Sequence, residues 1–480
     1  MTNSGNSFRN TSYSNAGAAA GKLPVMEKIG YSFGDAASNL YFGLFISFIP
    51  IFYTDVFKLS ASSVALMFLI TKIWDAVNDP IMGMIADRTE TRWGKYRPYI
   101  ISMAPFLAFF GILAFITPNF GYQAKLIYAY VTYTLVLMLY TAANVPYSAL
   151  MGVMSSSSLE RTSASQYRFV SANIGQAIVS GATLYLVSYF GNGNDQAGWM
   201  WTSCAYGILA FVLLSITFFS TEERVHVPKT QKTNTLQDLK DLFQNGPWAL
   251  IGIATFFQLV FIVMRGSSAT YFFKYYVLDQ QLNIFNYSIN LSVTSFTSNF
   301  LLLGNLAGFL GAICAQSFSK TVDKKNAYSG ALIVSAIVSC CLYFVQPQNV
   351  LIIFSISVIG GFLLGAVSVL QWAIYTDTAD YGEWKYGRRA TGLIMAASLF
   401  SLKLGLAFGQ SLSTWLIGYY GYVNNVAQTE HTIYGIRMLM SFYPAVFGII
   451  GGLVMAFYPL KNSLMLKIEE DLVKRRAESE

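Results

Sequence analysis

The sequence predicts an all-α, polytopic membrane protein with twelve transmembrane helices in two six-helix pseudo-repeats. Three observations carry that expectation. Hydrophobic residues make up 54% of the 480-residue chain and charged residues only 11%, where a soluble protein carries roughly 25% charged. The excess apolar surface therefore has to face lipid. Apolar segments of about 20 residues, the length that crosses a bilayer, recur along the chain, and one long charged stretch divides them six and six.

The elements follow in order. Residues 1–22, rich in Ser, Asn, Gly and Ala, read as a disordered cytoplasmic tail. They lack the basic start, short apolar core and cleavage site of a signal peptide. A first six-helix bundle is expected over 23–220, with spans at 29–54, 61–86, 99–117, 126–151, 166–190 and 199–219. The stretch 221–247 (TEERVHVPKTQKTNTLQDLKDLFQNGP) reads as a central cytoplasmic loop. Pro247 suits the first turn of the next helix, where its missing N–H costs nothing. A second bundle is expected over 248–460, with spans at 248–275, 294–319, 327–346, 349–376, 389–419 and 434–459, and 461–480 closes the chain as a cytoplasmic tail.

Basic residues set the orientation. Of the 31 Lys and Arg, only Lys58, Lys125 and Lys274 fall in the loops on the side opposite the tails. Lys72, Arg168, Arg265, Lys403 and Arg437 fall in spans or at their ends. This asymmetry places both termini in the cytoplasm. Two loops also correspond: GMIADRTETRWGKYRP, Gly83–Pro98, follows the second span, and GAICAQSFSKTVDKKN, Gly311–Asn326, follows the eighth. Two six-helix halves with matching loops describe a repeat transporter, whose substrate site lies between the halves near mid-membrane.

Several function classes are excluded. The basic residues lie in short runs, so no face for nucleic acid forms. Cys204, Cys314, Cys340 and Cys341 sit in apolar stretches and read as small buried hydrophobes. His226 and His431 fall in loops, so no histidine metal site is expected. No GxxxxGK[ST] loop is present to drive pumping with ATP, and no nucleophile–base pairing stands out. The chain is expected not to be an enzyme and to need no cofactor beyond a coupling ion, Na⁺ or H⁺.

Ionisable residues inside a span are costly, and each raises a functional hypothesis. The second span carries Lys72, Asp75 and Asp79. The two aspartates are four residues apart, so they share one helical face about 6 Å apart along the axis. Asp75 lies roughly 20 Å from Arg88 at the cytoplasmic end. Two carboxylates at that depth repel unless a proton or cation sits between them, which makes them the candidate coupling site and, with Na⁺, a metal site. The alternative is a salt bridge from Lys72 to Asp75. In the fourth span Tyr140, Asn144 and Ser148 recur every four residues as a polar stripe. Such groups donate and accept as sugar hydroxyls require, although they also serve helix–helix packing. Thr141 offers an uncharged oxygen to a cation. The first span has a similar run, Asp35, Ser38 and Asn39. Arg168, in the fifth span, suits substrate oxygens and otherwise reads as a snorkelling arginine. In the tenth span Gln371 and Trp372 offer an amide and a stacking face. Asp377, Asp380 and Glu383, near its cytoplasmic end, read as a solvated loop with ion pairs to the other half.

The segment TKIWDAVNDPIMGMIADRTETRWGKYRP, residues 71–98, closely resembles the signature of the glycoside–pentoside–hexuronide:cation symporters, the family of the melibiose permease within the major facilitator superfamily. KIGYSFGDAASN, YTDVF, YTAANVPYSALMG and DTADYGEWKYGRRATG match in order, so the resemblance covers nearly the whole chain after the tail. Within the family, YTAANVPYSAL and DYGEWKYGRRATG look most like bacterial xyloside- and glucuronide-type carriers.

The resemblance implies a major facilitator fold and a multi-pass protein of the bacterial inner membrane, whose partners are membrane lipid and a small-molecule sugar or glycoside. It implies a cation site at Asp75 and Asp79 with help from Thr141. It implies a sugar site at Asn39, Tyr140, Asn144 and Arg168, and it raises Lys385 as a further substrate residue. The melibiose permease has carboxylates where Asn39 and Asn144 stand, and a tryptophan where Ser148 stands. Those departures turn the expectation from galactosides toward a pentoside or a hexuronide imported by alternating access. The rival readings are a lysolipid carrier of related fold, which would need an apolar acyl path beside the polar stripes, and a non-transporting membrane sugar sensor.

Overall fold

The computed structural model describes residues 23–155, 158–224, 244–284, 287–386 and 391–479. The expected tail 1–22 and most of the central loop, 225–243, lie outside the described residues. Among the described residues, twelve helical segments follow in the order predicted for the spans. In the first half α1 is Val25–Ser47, continuing after a 53° bend as Ile49–Val56; α2 is Ala61–Arg88, α3 Arg97–Leu113, α4 Tyr122–Met154, α5 Ser158–Gly191 and α6 Asp195–Ser220. In the second half α7 is Gly246–Phe272, extended by a π-turn over Phe273–Val277; α8 is Val293–Thr321, α9 Lys324–Cys341, α10 Val350–Tyr386 and α11 Thr391–Tyr419. α12 runs Glu430–Met440 and resumes as Phe442–Ala456.

By length and hydropathy, seven of the described helices can cross a membrane unaided, and the bent α1 makes an eighth. Two that fall short do so for visible reasons. α3 is only 17 residues long, and the middle of α2 carries Lys72, Asp75 and Asp79.

The bend in α1 has a covalent origin with a structural use. Pro50 has no N–H to give the carbonyl of Ile46, one turn back. That carbonyl accepts from Ser267 on α7 instead, at 3.0 Å. The neighbouring carbonyls of Phe45 and Ser47 accept from Gln410 on α11 and Thr270 on α7. The backbone groups around the bend are thus satisfied by the opposite half, as the lipid interior demands.

The halves also meet where α2 packs on α11 and α5 on α8. Within the second half, α8 and α10 approach backbone to backbone. A Cβ on Gly361 or Gly365 would run into the carbonyls of Gly304 and Gly308, so glycine is what permits the contact.

At the α1–α2 end a polar knot ties the halves. Asp55 is 2% exposed and pairs with Lys274. It also accepts from the hydroxyls of Tyr275 (2.6 Å) and Tyr422. Asn425 donates to its backbone carbonyl at 2.6 Å, and Thr54 shares a 2.8 Å hydrogen bond with Tyr271.

At the opposite end the loop after α2 is held by Glu223. Its carboxylate accepts from the backbone N–H groups of Lys95, Tyr96 and Arg97 at 2.7–3.0 Å. These are the donors around the start of α3 that lack helical partners, and an anion is favoured there. The turn before them needs Gly94, at φ +103°. Burial, with Asp87 accepting from its hydroxyl, pushes the Tyr96 phenol well above its ordinary value.

Two elements depart from expectation. A hairpin, β1 Gln280–Ile284 paired antiparallel with β2 Tyr287–Leu291, stands between α7 and α8 in an otherwise helical chain. Its sequence alternates apolar residues at Leu282, Ile284, Tyr287, Ile289 and Leu291, the period-2 signal of a strand, in a segment too short and polar to register among the spans. The closing tail is largely a helix, α13, Asn462–Ser479. Met465, Ile468 and Leu472 are buried along one face, and Asp471 accepts from the indole N–H of Trp384 at 3.1 Å, fixing the helix to the end of α10.

Candidate functional site

The acid pair forms as the spacing requires. Asp75 and Asp79 occupy successive turns of α2, on the face between α4 and α11. The Thr141 hydroxyl on α4 lies 2.8 Å from Asp75 Oδ1 and 3.0 Å from Asp79 Oδ1. A hydroxyl has one proton, so Thr141 can donate to only one of these oxygens at a time. The remaining demand is met from the opposite half. Lys403 Nζ on α11 lies 2.9 Å from Asp75 Oδ2 and 2.5 Å from Asp79 Oδ2.

The salt bridge considered for Lys72 is therefore made by Lys403, and Lys72 forms no ion pair with either aspartate. Two carboxylates and a hydroxyl are hard oxygen donors, a set that suits a small hard cation or a shared proton. Among the described residues no group of three or more His, Cys, Asp or Glu converges.

Beside this cluster lies a second one. Arg168 Nε donates to Asp35 Oδ2 at 2.7 Å and Nη2 to Asp35 Oδ1 at 3.2 Å, a two-pronged pairing between α5 and α1. Its guanidinium lies over the rings of Tyr147 and Tyr31, 5.0 and 5.6 Å from their centroids. Arg168, expected to meet substrate oxygens or else to snorkel, has a carboxylate partner inside the bundle.

Asn39 donates to the Asp35 carbonyl at 2.9 Å. Asn144 accepts from Ser38 at 3.2 Å and lies 3.5 Å from the Tyr140 hydroxyl. The α1 and α4 stripes thus face each other. Asn39 also lines a cavity of about 400 Å³ between the halves, with residues of α5, α7, α8 and α10.

The second-half candidates stand apart from these clusters. Gln371 is buried and donates to Tyr375, whose hydroxyl donates to Thr255 on α7, so its amide serves packing within its own half. Trp372 is 45% exposed, with its ring edge against Tyr375. Lys385 lies over the rings of Tyr381 and Tyr386 at the end of α10. Asp377 pairs with Lys324 of its own half at 2.8 Å.

Sequence reasoning passed over Lys403 and left Asp35 without a role. The signal for Lys403 was present: a single lysine in the apolar run SLFSLKLGLAFG is the kind of intramembrane charge that marks function.

A family model described as MFS/sugar transport protein matches residues 30–462. The chain belongs to this family. Among its relatives, the inner membrane symporter YicJ of Escherichia coli is 34% identical, covering 95% of this chain and 97% of that protein. The putative glycoside/cation symporter YagG of the same organism is 32% identical, over 95% and 96%. The isoprimeverose transporter of Lactiplantibacillus pentosus is 31% identical, over 95% and 93%. These names agree with the resemblance read from the motifs.

Solved structures share the architecture at low identity. A bacterial homologue of the human lysosomal transporter Spinster, inward-facing and occupied, superimposes with a TM-score of 0.65 at 12% identity, covering 90% of this chain and 95% of that one. A bacterial homologue of human peptide transporters gives 0.64 at 12% identity, over 93% and 99%. As an MFS/sugar transport protein, the chain carries its acid pair on α2, beside Thr141 of α4, and its arginine–aspartate pair on α5 and α1, all within the first half.

Proposed function

We propose that this protein is a secondary symporter that imports a glycoside, a pentoside or a hexuronide, together with Na⁺ or H⁺, across a bacterial inner membrane with both termini in the cytoplasm. The observation that carries the reading is the ion triad across the halves: Asp75 and Asp79 from the first, Lys403 from the second. An ammonium between two carboxylates holds the position a transported cation would take. A cation arriving there competes with Lys403 and so changes a contact between the halves, which is what coupling by alternating access needs. The Asp35–Arg168 pair and the facing amides of Asn39 and Asn144 supply donors and acceptors for sugar hydroxyls. In this assignment the knot around Asp55 closes the outer end.

Asp35 neutralises Arg168, so that part of the pocket is neutral and relies on amides rather than on net positive charge. Galactosides such as melibiose are expected to compete poorly against a xyloside.

Uptake into proteoliposomes from a glycoside panel, under separate Na⁺ and proton gradients, tests the reading. Accumulation driven by one of the two gradients supports it. Sugar binding without accumulation under either gradient overturns it.

A further inference from the structure

Most of the ionisable groups within the helices of this protein have an opposite charge at hand. Arg168 has Asp35, and Lys403 has Asp75 and Asp79. Arg265, on α7, does not. Among the described residues it makes no ion pair and no hydrogen bond, and its Nε is buried without a partner. Its guanidinium lies over Phe261, 5.6 Å from the ring centroid, and reaches toward Gly360, where the lack of a side chain leaves room.

Arg265 also lines the cavity between the halves, and among the described residues no carboxylate shares that lining. The groups around it are neutral: Asn39, Asn173, Gln176 and Asn305 among them. Gln176 Oε1 is a buried acceptor with no partner. A fixed positive charge in a cavity of about 400 Å³, ringed by amides and lacking a counter-ion, is a half-built ion pair. Asn39 connects this cavity to the sugar cluster, since it lines the one and donates to the Asp35 carbonyl in the other.

We infer that Arg265 is the binding subsite for an anionic substituent of the substrate, which is a sugar acid whose carboxylate pairs with this guanidinium while its hydroxyls meet the neighbouring amides. The planar fork of arginine suits two carboxylate oxygens. A substrate that brings the charge removes the cost of leaving Arg265 unpaired in the membrane interior. A neutral glycoside leaves that cost in place. The inference rests on the symport reading and selects within its substrate class.

The test uses two probes that differ by the group in question. Methyl β-D-xyloside is methyl β-D-glucuronide without its carboxylate. Equilibrium binding of both is measured on the purified full-length protein, alongside proteoliposome uptake. The wild type is expected to favour the glucuronide at least tenfold. Arg265→Gln is expected to reduce that preference by at least tenfold, and Arg265→Lys, which keeps the charge without the fork, to retain an intermediate preference. A wild-type protein that accumulates the xyloside but shows no preference for the glucuronide overturns the subsite and leaves symport standing. So does an Arg265→Gln protein with the wild-type preference. A wild type that binds and accumulates neither probe overturns both readings.

Discussion

Lys403 on α11 reaches across the boundary between the two halves to Asp75 on α2, with its ammonium 2.9 Å from the carboxylate. It touches Asp79 as well, so one residue of the second half closes a site built by the first. Its consequences are open to measurement.

Asp75→Asn and Asp79→Asn should each abolish cation-driven sugar accumulation while the protein still inserts. Each removes one of the two charged oxygens that face the Lys403 ammonium. Accumulation in proteoliposomes, normalised to inserted protein, is expected to fall at least tenfold. Normal accumulation by both variants would place the coupling site elsewhere.

Lys403→Gln leaves two carboxylates facing each other without their counter-charge. Removing one member of a buried ionic cluster costs on the order of 3–5 kcal/mol, so the thermal midpoint in detergent should fall. The coupling cation should restore a larger share of stability to this variant than it adds to the wild type, because it replaces the lost ammonium. Combining Lys403→Gln with Asp75→Asn should cost less than the sum of the two, with a coupling of roughly 0.5–3 kcal/mol.

Arg168→Ala should weaken sugar affinity at least tenfold and leave cation binding within about threefold. Asp35→Asn should also weaken sugar binding, because it frees the guanidinium that Asp35 orients at 2.7 Å. Titration of purified protein with sugar and with cation separates the two effects. Unchanged sugar binding in Arg168→Ala would leave the arginine as a packing residue.

Asp55→Ala removes the acceptor for Lys274, Tyr275 and Tyr422 at once. The α1–α2 end should open more often. A cysteine at Ser47, 6% exposed behind the knot, should react with an impermeant maleimide about tenfold faster in this background, as expected for a shift of roughly 1.4 kcal/mol in the conformational equilibrium.

Much of the architecture was legible because lipid imposes a simple rule: a span must be apolar and long enough. The order of the twelve helices and the pairing of Asp75 with Asp79 and Thr141 follow from periodicity and spacing within one helix or from the family motif. What could not be read was set by contacts between distant segments. Helical period places Asp35 and Asn39 on the same face of α1, and only the packing of α5 reveals that Asp35 meets Arg168. Lys72, three residues from Asp75, is the alternative partner that spacing offers, whereas Lys403 is 328 residues away and holds the position. Sequence distance is a poor guide to charge pairing once helices from two halves interleave. The hairpin and α13 were missed for a different reason: both carry readable periodicity, but in segments that a search for spans treats as loop and tail.

The cluster of Asp75, Asp79 and Lys403 has a last consequence, electrical rather than geometric. With both acids ionised and the lysine protonated it carries one net negative charge, and a bound monovalent cation brings it to zero. A membrane potential does work of roughly 2.3 kcal/mol per charge per 100 mV, and it can do so only on the form that is charged. Acting on that cluster alone, an inside-negative voltage would leave the cation-loaded site unaided and draw the empty, negative site back toward the outer face.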